Sequence, residues 1–401
     1  MKDHTPNFDF YAFNAPNHKD SEQPVPEDTE QSAEEPAPIV QNEVQSAPAI
    51  TPEEQASNDA YARDIDRALA RDKMKNDFSR LGVGFVVMTI AWYFVAQLLM
   101  NKVYELFPDV YNSYWFSILA STVPLYVVGL PLLYLIVKGM KAEVPERKKL
   151  KFSHFILIFI IAQTIMTAGS LMGESFVSFL ASITGINFEN SLSDTLNVPL
   201  WLSILTTVVC APLFEELIFR KIIMDRMLPH GELAAILVSS FLFGAFHGNF
   251  YQFFYATMLG LLLSFLYART GNWWHGVFLH MLINFFGGVV PVLISNWLDY
   301  DTFITLTQEQ MLPYITEHLG AYLSLMGLTV FRYGLSIAGL ILLIIHFKKF
   351  ALRRKENEPS PADALTTAFS AGGIIASIVV CALLFGLWFL SAWLSTVAPA
   401  I

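Results

Sequence analysis

The chain has 401 residues, of which 54% are hydrophobic and only 15% carry charge, against about 25% charged in a typical soluble protein. Mean hydropathy is positive, at +0.46, and the net charge of −10 comes mostly from the N-terminal tail, so it reads as solvation of that tail and not as a substrate preference. The two cysteines, Cys210 and Cys381, lie far apart in apolar runs, which excludes a disulfide framework and a cysteine-rich metal site.

Residues 1–60 are acidic and proline-rich, with few aliphatic side chains. Such a segment cannot bury enough apolar surface to offset its ordering entropy, so a disordered cytoplasmic tail is expected. It lacks the basic start and apolar centre of a signal peptide. Residues 61–80 read as a basic juxtamembrane helix, with Arg63, Arg67 and Arg71 four apart on one face. A membrane-crossing helix needs about 20 apolar residues. Expected spans run over 82–100, 115–137, 154–183, 199–228, 233–247, 251–268, 273–296, 324–346 and 368–396, the fifth being marginal in length. The fold class is therefore all-α: a polytopic bundle of about nine transmembrane helices. Residues 81–198 supply the first helices, 199–296 a core with unusual charges, and 297–401 the last helices.

The joints between spans alternate in charge. Lys138, Lys141, Arg147, Lys148, Lys149 and Lys151 fill one, Arg226 and Arg269 mark two more, and Lys348, Lys349, Arg353, Arg354 and Lys355 another, while Glu105, Asp109, Glu189, Asp194, Asp299, Asp301, Glu309 and Glu317 fall in the joints between them. Because Lys and Arg collect on the cytoplasmic side, this pattern implies a multi-pass protein of the cell membrane with a cytoplasmic N-terminus and nine spans.

Ionisable residues inside spans are costly and mark function by default. The fourth span reads Ala211-Pro-Leu-Phe-Glu-Glu-Leu-Ile-Phe-Arg220. Glu216 and Arg220, four apart, share a helix face and can pair. Glu215 points about 100° away with no local partner; an unpaired carboxyl in a low-dielectric setting favours its neutral form, and that suits a base exchanging protons near neutral pH. The bland alternative is a structural charge cluster at the cytoplasmic edge. The fifth span ends Phe243-Gly-Ala-Phe-His247, and the seventh holds His280-Met-Leu-Ile-Asn284. At 1.5 Å per residue, Glu215 lies roughly 20 Å from the end of its span, His247 about 21 Å from the start of its own, and His280 about 10–14 Å into the seventh. All three can meet in the cytoplasmic half or near mid-membrane.

Glu215-Glu216-xxx-Arg220, Phe243-xxx-His247 and His280-xxx-Asn284, in that order and about thirty residues apart, resemble the motif set of the CAAX-protease and bacteriocin-processing (CPBP, or Abi) family. Its members are intramembrane endopeptidases related to the type II CAAX prenyl protease. The resemblance covers about 199–296. It implies that Glu215 activates water with His247 beside it, that His280 and Asn284 stabilise the oxyanion, and that Glu216 with Arg220 holds the helix geometry. A metal is left open: Glu215, His247 and His280 make a His₂Glu set of the kind that binds zinc, while a metal-free glutamate mechanism is similar to what the family's eukaryotic members suggest. Expected partners are membrane lipids and a peptide or protein substrate, with no nucleic acid. The competing readings are a non-catalytic bacteriocin-immunity or scaffold protein, which intact motifs disfavour, and a proton-coupled transporter, which the lack of inverted repeats disfavours.

Overall fold

The computed structural model describes residues 51–188, 199–354 and 358–397. The expected tail up to residue 50, the joint containing Glu189 and Asp194, and Lys355 lie outside the described residues. The chain divides after Asn58, and the described residues from Asp59 onward form the helical bundle. Among the described residues all regular secondary structure is helical, and eight helices are long and apolar enough to cross a membrane. These and one shorter helix are, in chain order, α1 (Pro52–Leu106), α2 (Trp115–Val137), α3 (Phe152–Thr184), α4 (Leu200–His230), α5 (Glu232–Phe246), α6 (Phe250–Thr270), α7 (Trp273–Leu298), α8 (Leu319–Phe350) and α9 (Gly372–Val397). Short helices at Tyr300–Thr305 and Gln308–Glu317 link α7 to α8, and Pro361–Ser370 precedes α9.

The helices fall where the apolar runs place them, with two informative differences. Residues 52–60, expected to be disordered tail, are helical, and the expected juxtamembrane helix and first span follow as parts of the same 55-residue element. Residues 59–73 of it are exposed, and burial begins at Met74. The fifth expected span is α5, with 15 residues. It rises only about 22 Å against a hydrocarbon core of about 30 Å. Nearly all of it is buried, from Ala234 to Phe246, because α4, α6, α9 and the Pro361–Ser370 helix surround it. A helix apolar on every side is a core element, and α5 sits at the centre of the main hydrophobic cluster with Phe78, Phe85, Leu133, Ile218, Phe219 and Ile374.

Lipid chains are as apolar as leucine, so helices in a membrane associate through close packing and hydrogen bonds. Small residues serve that purpose here. Gly260 of α6 faces Ser240 of α5 so closely that an added Cβ would lie 3.0 Å from the Ser240 Cα, and the Ser240 and Ser264 hydroxyls meet at 3.3 Å. On α3, the Thr164 hydroxyl donates to the Ser336 carbonyl of α8 at 2.6 Å. The last helix docks on the first: Ser377 Oγ donates to the Gly82 carbonyl at 3.0 Å, and the Gly373 N–H donates to Ser79 Oγ at 3.0 Å.

This last contact generates a test. A side chain at Gly373 collides with the Ser79 backbone, whereas one at Gly386 on the same helix meets nothing within 4 Å. Overpacking of a tight contact costs about 1–3 kcal/mol or more. Gly373→Leu should lower the melting temperature in detergent by several degrees and Gly386→Leu should leave it unchanged; equal effects would contradict the docking of α9 on α1.

Candidate active site

Helix α4 is not a uniform α-helix. A single α-helical stretch, Ala211–Glu216, lies between two π-helical stretches, Ile204–Cys210 and Leu217–Met224. π-turns are rare and concentrate at functional sites. Both glutamates stand at the end of this α-helical stretch, where Pro212 enters at its first turn.

Glu216 and Arg220 are fully buried, with Arg220 Nε 3.1 Å from Glu216 Oε2. The guanidinium also lies over the Phe243 ring, 4.9 Å from its centroid, a cation–π contact that strengthens when water is excluded. None of the guanidinium nitrogens has a hydrogen-bond partner among the described residues, so the pair rests on charge attraction and on this ring. The other Glu216 oxygen, Oε1, is 3.2 Å from His280 Nδ1. The second nitrogen of that ring, Nε2, is 3.7 Å from Glu215 Oε2. His280 thus stands between the two glutamates, 4% exposed. Gly276, one turn before His280, makes room for this: a Cβ there would come 2.8 Å from Glu216 Oε2.

His247 closes α5. Its Nδ1 is 2.8 Å from the Phe243 carbonyl oxygen. A carbonyl only accepts, so Nδ1 carries the hydrogen, and in the neutral ring Nε2 keeps its lone pair. Gly248 follows with φ of +66°, a left-handed conformation that suits glycine; it ends the helix immediately after the histidine. Asn249 then caps α6 by accepting from the Gln252 N–H at 2.9 Å.

Glu215 and His247 line one cavity of about 350 Å³, together with Trp92, Tyr126, Thr206, Phe246, Gln252 and others. Glu215 is the less buried of the two glutamates, at 14% side-chain exposure against none for Glu216. His280 and Asn284 are not among the cavity-lining residues. Asn284 Nδ2 donates to the Thr207 carbonyl at 2.8 Å, tying α7 to the π-helical part of α4.

Of the residues singled out in the sequence, Glu215, Glu216, Arg220 and His280 form one contact chain, His247 shares the cavity with Glu215, and Asn284 bonds the backbone of Thr207, which also lines that cavity. Among the described residues no three His, Cys, Asp or Glu side chains converge as metal ligands do. His280 turns one nitrogen to Glu216, and the set Glu215, His247 and His280 does not fit an ion in this arrangement, so no step is routed through one. The sequence reading missed Gln252 and Phe243's ring. Asn249-x-x-Gln252 has the spacing of a helix-capping box, which points to a helix start and not to a site.

Residues 197–286 match the family described as Type II CAAX prenyl endopeptidase Rce1-like. That segment is thus similar to the CAAX endopeptidases, and it contains every residue of the contact chain. Over 113 residues the chain is 32% identical to the protein named "Putative membrane peptidase YdiL" of Bacillus subtilis (strain 168), covering 28% of this chain and 45% of that one. It is 27% identical over 144 residues to the UPF0177 protein YxdF of Lactococcus lactis subsp. lactis (strain IL1403), covering 35% of this chain and 77% of that one. The chain thus spans less than half the length of the first of these relatives. No solved structure matches the chain significantly. The comparisons and the helices together make this a multi-pass membrane protein.

The buried pair predicts a stability pattern. Glu216→Gln removes the negative charge that faces a fully buried guanidinium and His280, and losing one partner of a buried pair costs about 3–5 kcal/mol. The melting temperature in detergent should drop, and Arg220→Met added to Glu216→Gln should recover part of it. No recovery in the double variant would contradict the pairing.

Proposed function

We propose that this protein is a CAAX-protease-like intramembrane endopeptidase that hydrolyses peptide bonds of membrane-associated proteins or peptides. The observation that carries this reading is the shared cavity of Glu215 and His247, walled by aromatic, aliphatic and hydroxyl side chains and backed by the His280–Glu216–Arg220 chain. Peptide hydrolysis needs a base for water and donors for the oxyanion. Glu215 takes a proton from the water that attacks the scissile carbonyl. The C–N bond then breaks, and that proton passes to the leaving nitrogen. His247, with Nε2 turned away from its helix, stands as the second proton-handling group.

The family resemblance assigns His280 and Asn284 to the oxyanion. His280 also lies 3.7 Å from Glu215, and Asn284 keeps one amide hydrogen free after bonding the Thr207 carbonyl. Glu216 and Arg220 hold the helix geometry. The alternating Lys and Arg of the joints supports a cytoplasmic N-terminus, with α5 counted as a ninth, buried element.

Two measurements test this. N-terminal proteomics of membranes carrying wild type or Glu215→Gln should yield new protein termini only with wild type. For a cleaved sequence rebuilt as a membrane-anchored reporter, Glu215→Gln should lower turnover by about 10²–10⁴ at an unchanged melting temperature. Identical termini from both proteins would sink the peptidase reading. For orientation, reporter fusions after residues 301 and 349 should report opposite sides of the membrane; the same side for both would overturn the topology.

A further inference from the structure

Building on the peptidase reading, we infer that Gln252 is a further, preorganised side-chain donor that binds the substrate's scissile carbonyl, and that Asn249 positions it. Gln252 lies in the cavity lining with Glu215 and His247, and none of the three sequence motifs includes it.

The orientation of its amide follows from hydrogen bonds alone. The Gln252 backbone N–H can only donate, and it donates to the Asn249 side chain at 2.9 Å, so that Asn249 atom is Oδ1. Asn249 Nδ2 is therefore the donor, and it gives hydrogen bonds to the His247 carbonyl at 3.1 Å and to the Gln252 side chain at 2.7 Å. The accepting Gln252 atom is then Oε1. Its NH₂ is left for the cavity and for the neighbouring Tyr255 hydroxyl. A main-chain group thus fixes which end of the amide faces the reacting atoms. The same Asn249 holds the backbone of His247, so donor and histidine are set by one side chain.

Most other donors of the cavity wall are already engaged. The Trp92 indole N–H donates to the Ser121 carbonyl, and the hydroxyls of Ser121, Thr206 and Thr207 donate to carbonyls of their own helices. The Thr122, Ser203 and Tyr126 hydroxyls are rotors whose hydrogens are not fixed in advance. Donors aimed beforehand at the developing negative charge are the ones that accelerate acyl transfer. Asn284, the amide that the family resemblance assigns to this task, gives one of its two amide hydrogens to the Thr207 carbonyl, so Gln252 adds a donor on the cavity side and does not replace it.

The experiment uses the full-length protein in proteoliposomes and a reporter peptide built from a sequence that wild type cleaves and Glu215→Gln does not. That control settles the peptidase reading before Gln252 is tested. Gln252→Ala and Gln252→Met, the second keeping the side-chain bulk, should each lower kcat by about 10²–10³, the effect of losing one oxyanion donor, with KM within about threefold and the melting temperature unchanged. Asn249→Asp keeps the helix cap but cannot donate to Gln252 Oε1, so it should lower kcat by about tenfold. A folded Gln252→Met with kcat within threefold of wild type overturns the inference. So does a loss that appears only in KM, or one that tracks the melting temperature, since either assigns Gln252 to binding or to structure.

Discussion

The arrangement depends on one interaction, the fully buried ion pair of Glu216 and Arg220. Taking two charges out of water costs more than their attraction returns unless neighbours help. The neighbours here come from two other helices, α5 and α7. Phe243 of α5 presents its ring face to the guanidinium, His280 of α7 meets the free carboxylate oxygen, and Gly276 gives the backbone room to approach. The consequence is positional. Phe243 also supplies the carbonyl that orients His247, and His280 also reaches Glu215. A charge pair that stabilises little by itself therefore fixes the relation between the two groups that face the cavity.

The adjacency of Glu215 and Glu216 gains its meaning from the helix that carries them. Consecutive residues on an α-helix point about 100° apart. The first glutamate can thus face a cavity while the second is sealed in the core. π-helical stretches on both sides of this α-helical segment shift the face that each neighbouring turn presents, and the Asn284 amide, bonded to the Thr207 carbonyl, ties one of those stretches to α7. The Asn284 side chain thereby braces the helix that carries Glu215 and Glu216.

Much of this was legible in the sequence for simple reasons. Span positions follow from apolar run length, which no tertiary contact can hide in a membrane protein. The Glu216–Arg220 pairing follows from a four-residue spacing on one helix. What was not legible depends on distance in the chain. His280 lies 64 residues after Glu216, and no pattern fixes which of its nitrogens meets which carboxylate. Asn284 reads as a site residue from its spacing to His280, yet its partner is a backbone carbonyl 77 residues earlier, and backbone carbonyls leave no trace in composition. Gln252 was hidden by a sufficient local explanation, the helix cap, which accounts for the residue without any reference to the cavity.

The shortness of α5, a weakness when hydropathy alone is considered, is what makes the site possible. Non-helical backbone at membrane depth is tolerated only where protein buries it or where it lines a cavity. A helix of full length would carry its terminal turn to the water interface, where any polar residue is solvated at no cost. α5 ends after 15 residues, so its last residues, the Gly248 turn and the Asn249 cap all fall within the protein, with Gly248 and Asn249 buried. The groups exposed by the break are then satisfied locally: His247 bonds back to Phe243, and Asn249 serves both the His247 carbonyl and the start of α6. Ending a helix inside the bundle brings a histidine, an asparagine and a glutamine to one point beside Glu215. The surrounding helices α4, α6 and α9 supply the burial that such a break requires.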